Sequence, residues 1–171
     1  MNNEFSDRVL NNIMKNTEEW LNEFQKSAYY EKLTKAQRKD AEFIIEMFSE
    51  WNYSYELRRP REWTQSSLSY VLLDPFTRKI AVGSSFFKHV EPVLTQYFLF
   101  LDEIGKIKNS NALITALKEV APIMIEEEQE GSNWGIGKKL MASGEALGVN
   151  MEDEEELHKF IDLMNQMNGH F

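Results

Sequence analysis

Arg58-Arg59-Pro60-Arg61-Glu62-Trp63 gathers three guanidiniums on a short turn, with Tyr53 and Tyr55 just upstream. A guanidinium grips a phosphate or carboxylate through paired hydrogen bonds, and an aromatic ring offers a face on which a nucleobase can stack. Arg58, Arg59, Arg61 and Trp63 are therefore the leading candidates for ligand binding. The same arginines could instead pair with the acidic helices predicted at the C-terminal end of the chain, or with an acidic face of a partner. Pairing within the chain is the expectation, because the chain has carboxylates in surplus, and ligand binding is the alternative.

Gly131-Ser132-Asn133-Trp134-Gly135-Ile136-Gly137-Lys138-Lys139 looks like a phosphate-binding loop and fails the test. The P-loop pattern requires glycine where Ser132 stands, Ser or Thr where Lys139 stands, and a buried strand where Glu126-Glu127-Glu128-Gln129-Glu130 precedes it. What remains is a helix start whose N–H groups, with Lys138, could hold a generic anion. The competing reading is a helix cap followed by close packing, with Gly137, Met141, Gly144 and Gly148 on one stripe. Packing is the expectation.

Glu155-x-x-His158 has the spacing of half a di-iron motif, flanked by Glu154 and Asp162. Such a site needs a second Glu-x-x-His and further glutamates on facing helices. His89 and His170 stand alone, so a solvated face with local ion pairs is expected and no metal site is assigned. There is no G-x-S-x-G elbow, and no histidine has the context of a general base. The chain is read as non-enzymatic, with no cofactor.

The elements that would carry these residues are helical nearly throughout. A first helix is predicted from Ser6 to Tyr29, with Ile13, Thr17, Trp20, Leu21 and Phe24 on its core face. A second starts at Thr34, is interrupted at Asn52-Tyr53-Ser54-Tyr55, and gives way to a break at Arg58–Arg61. Thr64 or Ser66 opens a short helix ended by Asp74-Pro75, and Phe76 to Ser85 reads as a loop. Ser84 or Ser85 then caps an apolar helix in which Pro92 predicts a kink or break near His89, and Gly105 its stop. Asn109-Ser110-Asn111 opens another with Pro122 inside. Further helices are predicted from Ser132 or Asn133 and from Asn150–Asp153. The acidic turn Glu152–Glu156 suits the positive end of the last helix dipole.

The 171 residues suffice for one domain with a real core. The expectation is an all-α bundle of about seven or eight helices over residues 1–171, with residues 1–30 able to pack as an arm. With no cysteine there is no disulfide framework, thiolate metal site or cysteine nucleophile. The N-terminal residues lack a signal-peptide pattern and no apolar run is long enough for a membrane span, so a cytoplasmic location is expected. The net charge of −9 is uneven: residues 51–100 carry six basic and four acidic side chains, and residues 101–171 six and fourteen. Duplex and membrane binders usually present a basic face, so nucleic acid is disfavoured as a general partner. The crowded aromatics Phe86, Phe87, Tyr97, Phe98 and Phe100 read as core with apolar surface to spare, which allows a homodimer.

Ser132-Asn133-Trp134-Gly135-x-x-Lys138, then Gly148-Val149-Asn150, an acidic helix start and Met164-Asn165 resemble a family of uncharacterised prokaryotic helical domains. Members stand alone or beside small SEC-C-type zinc modules. The likeness covers the last third of the chain and, more loosely, Phe86–Pro122. It implies an all-helical fold and no established activity, and since the cysteine-rich module is absent here, no metal site carries over. The function expected is protein interaction or regulation through helix faces and an acidic surface. The alternative is a nucleic-acid or phosphate ligand held by Arg58, Arg59, Arg61 and Lys138.

Overall fold

Ser6 sets the start of the first helix by accepting the Val9 N–H on its hydroxyl oxygen, and Asp7 places negative charge in the first turn. The structure, a computed structural model, describes residues 4–81 and 84–130. Helix α1, Asp7–Phe24, buries Ile13, Thr17, Leu21 and Phe24 along one face. Thr17 keeps its buried hydroxyl satisfied by donating to the Ile13 carbonyl at 2.7 Å. The helix stops at Phe24, short of the expected Tyr29. Ser27 is the reason: it donates to the Phe24 carbonyl and caps the single turn α2, Ala28–Glu31. Arg38 then closes α2 from below, donating to the Tyr30 and Glu31 carbonyls.

Thr34 and Gln37 form a reciprocal capping box at the head of α3, Lys35–Glu56. Helix α3 does not break at Asn52-Tyr53-Ser54-Tyr55, contrary to expectation. Asn52 is buried and turns its amide back to the Phe48 carbonyl at 3.0 Å, while the buried Tyr53 accepts the Ser6 N–H on its phenol oxygen at 2.9 Å. Both polar groups serve the helix rather than interrupt it. The end comes at Leu57, which lies in the left-handed region with φ 54° and lets the Arg58 N–H reach the Asn52 carbonyl. Pro60–Glu62 then makes one 3-10 turn.

Thr64 caps α4, Gln65–Val71, through the Ser67 N–H. Asp74-Pro75 does not end it. The helix widens into a π turn at Leu72–Phe76 and continues as α5, Thr77–Lys79. A π turn loosens the backbone where Pro75 has no N–H to give, and the Thr77 hydroxyl donates to the Leu73 carbonyl at 3.0 Å. The stretch read as loop from Phe76 is thus helical to Lys79.

Helix α6, Ser84–Glu103, runs through Pro92 as one helix, so of the kink or two-helix break expected near His89 the break does not occur. The lost backbone bond and ring clash cost roughly 3 kcal/mol. Seven side chains of this helix (Phe87, Val90, Val93, Leu94, Tyr97, Phe98 and Leu101) are fully buried. At about 1.5–3 kcal/mol each for the large apolar ones, burial outweighs the proline. Gly105, with φ 79°, ends the helix in a Schellman turn: Lys106 N–H bonds to Leu101 C=O, and Gly105 N–H to Asp102 C=O. Helix α7, Ser110–Glu130, comes next, its first hydroxyl held by the Asp102 carboxylate, and passes through Pro122.

With α4, the π turn and α5 counted as one, six helices pack as a bundle, and no strand occurs among the described residues. Helix α6 is central, covered by α3 on one side and α7 on another, with α1 against α3 and α4 against α7. The aromatic stripe of α6 is consumed inside the chain, with Phe24 meeting Tyr97 edge-on and Phe48 meeting Phe98. The helices predicted from Ser132 or Asn133 and from Asn150–Asp153 lie outside the described residues.

Candidate functional site

Two buried residues, one within the arginine segment and one just after it, decide where its guanidiniums go. Pro60 is buried at the start of the 3-10 turn, and Trp63 is 1% exposed at its end. The Trp63 ring meets Phe48 edge-on at 4.9 Å and Phe98 at 5.8 Å, and its carbonyl accepts from the Asn109 amide at 2.8 Å. Across the first anchor, Glu62 folds back to accept the Arg59 N–H at 3.2 Å. With Pro60 and Trp63 turned into the interior, Arg58, Arg59 and Arg61 are all exposed.

Arg59, Pro60, Arg61 and Glu62 form one wall of a groove of about 610 Å³. The opposite wall is α1, which contributes Val9, Asn12 and Asn16 and, further along, Ile13, Glu19 and Trp20. Lys106, delivered by the Schellman turn, closes one end with its ammonium 5.8 Å above the Trp20 ring. The floor is apolar and the rim cationic. None of Arg59, Arg61 or Lys106 forms an ion pair among the described residues, where the pairs are Arg78–Asp74 and His89–Asp40. Glu19 and Glu62 temper the positive rim without cancelling it.

The structure revises the aromatic part of the expected site. Trp63 is a core anchor and has no ring face to offer a ligand; its indole N–H has no partner among the described residues. Tyr53 is 4% exposed and lies under Phe5. Tyr55 is half-buried, with Lys79 over its ring at 4.9 Å and Tyr70 beside it. The aromatic at the groove is Trp20, which the helical pattern assigned to the core face of α1. Arg58 is exposed but stands outside the groove lining. Lys138, the Gly131–Lys139 segment, Glu155-x-x-His158 and most of the residues that carry the helical-domain likeness lie outside the described residues.

Asn12, Asn16, Glu19, Trp20 and Lys106 were not nominated from the sequence. The signal for them was small: Asn12 and Asn16 sit one turn apart beside the apolar stripe, where polar residues are ordinary. Elsewhere, Asp40 on α3 meets His89 Nδ1 on α6 at 2.7 Å, giving the histidine a partner across the bundle. Glu46 on α3 has its carboxyl raised by burial and then by Glu42, Glu18 and Glu50. No group of three or more His, Cys, Asp or Glu side chains among the described residues is placed to hold a metal ion. No described helix is long and apolar enough to cross a membrane. Comparison with protein-family models, with curated proteins and with solved structures gives no match to this chain.

Proposed function

We propose that the chain is a non-enzymatic protein-interaction domain whose groove between α1 and the Arg59–Glu62 turn receives an acidic segment of a partner protein. One observation carries the reading: among the described residues, Arg59, Arg61 and Lys106 have no ion-pair partner around an apolar floor of Val9, Ile13 and Trp20, and the acidic helices expected to pair with the arginines lie outside those residues. An apolar floor wants aliphatic or aromatic side chains, and the rim wants carboxylates. A protein segment supplies both at once.

The alternative is a nucleic-acid or phosphate ligand on Arg58, Arg59 and Arg61. Burial of Trp63 and Tyr53 removes two of the rings on which bases would stack, while the apolar floor offers a nucleic-acid backbone nothing to bury. These features favour the protein segment. Exposed guanidinium–carboxylate contacts add only about 0.2–1 kcal/mol each. With one apolar anchor, an affinity on the order of 0.1 mM is expected for a short acidic peptide.

Arg61→Glu tests the reading. Titration of a labelled acidic peptide should show binding to the unaltered chain and at least a tenfold loss in the variant. Retention of the full chain on single-stranded DNA, falling steeply with salt and abolished by the same substitution, would turn the assignment to phosphate.

A further inference from the structure

Resting on the reading of the groove as a site for acidic protein segments, we infer that the segment lies there as extended chain, its backbone read by Asn12 and Asn16. The two asparagines are exposed on the groove wall, and their amides make no hydrogen bond among the described residues. A carboxamide carries donors and an acceptor side by side, so it can give to the C=O and accept from the N–H of one peptide residue. Four residues of helix rise about 6 Å. Two residues of extended chain advance about 6.6–6.8 Å, and alternate residues turn their N–H and C=O to the same edge. The asparagine repeat of α1 thus matches the backbone repeat of a strand laid beside it.

The dimensions agree. Val9 to Trp20 covers about 16 Å of helix axis, the length of about five residues of extended chain. Side chains of such a segment alternate between two faces. One set reaches the floor at Ile13 and Trp20, and the other stands toward the rim, where Arg59, Arg61 and Lys106 wait. The preferred ligand therefore alternates apolar and acidic residues. A helical ligand has its own N–H groups occupied and gives the asparagines nothing to read.

The probe is a fluorescein-labelled peptide of alternating glutamate and leucine, about seven residues long, titrated against the full chain by anisotropy. Two further probes carry backbone N-methyl groups, one on the leucines and one on the glutamates. Only one set presents its N–H to α1, so one methylated probe should lose at least tenfold and the other little. The double variant Asn12→Ala, Asn16→Ala should bind the plain peptide at least tenfold more weakly and no longer distinguish the methylated probes. Equal loss for both methylated probes, or a methylation effect unchanged in the double variant, overturns the inference. Binding that Arg61→Glu abolishes but methylation and the asparagine variants leave alone keeps the groove and removes the extended chain. No binding of the plain peptide at millimolar concentration removes both.

Discussion

Trp63 and Arg61 are two residues apart and do opposite things. The indole is 1% exposed against Phe48 and Phe98, whereas the guanidinium stands in solvent on the groove wall. Trp63→Ala removes a large buried ring and should lower unfolding free energy by about 3–5 kcal/mol, read by denaturant titration. Arg61→Ala at the rim should change stability by no more than about 0.5 kcal/mol. If instead Trp63→Ala folds with undiminished stability and loses ligand, the tryptophan belongs to the site and not to the core. The sequence could place these residues on one turn but not sort them. Their spacing is compatible with either face, and only Phe48 and Phe98, from helices before and after, decide which ring is swallowed.

Three helix ends made by local bonds were legible, whereas the one that Ser27 makes after Phe24 was not. Thr34, Thr64 and Gly105 act through partners three to five residues away, and each lies where the sequence put it. Interruptions were not legible, because the partners that remove them are distant. Tyr53 is satisfied by Ser6 across 47 residues, and Pro92 is overridden by the burial of its whole helix. Gly105 offers a clean test of a cap. A Cβ there would meet nothing within 4 Å, so Gly105→Ala pays only for the left-handed backbone. It should cost about 1–2 kcal/mol, measured as a shift in melting, and should weaken acidic-peptide binding because Lys106 hangs on that turn.

At the level of the molecule, the groove exists only when α1, the Arg59–Glu62 turn and the Lys106 turn meet, and no local pattern announces that meeting. One wall of the candidate site was therefore readable as an arginine cluster, and the asparagine wall was not. Charge is likewise distributed by the fold: Glu18 of α1 is brought toward the stripe Glu42, Glu46 and Glu50 of α3. Burial and these neighbours raise the Glu46 carboxyl, so it holds its proton more tightly folded than unfolded. Its contribution to stability is present in acid and lost as pH rises through the raised value. Glu46→Gln should accordingly stabilise the protein at neutral pH by roughly 0.2–0.5 kcal/mol per relieved like-charge pair. The gain should vanish at about pH 3, where carboxyls are protonated. Equal melting temperatures at neutral pH would contradict it.

Leu57 turns the chain out of α3 in a conformation that side-chained residues seldom adopt, and Pro60 and Trp63 then pin the arginine turn to the interior. A wall so constrained has little disorder to surrender when something settles against it. Occupancy should then be limited by how few atoms touch, not by any cost of assembling the receptor. Contacts of that kind form and dissolve quickly, which suits a partner that must be met often and held briefly.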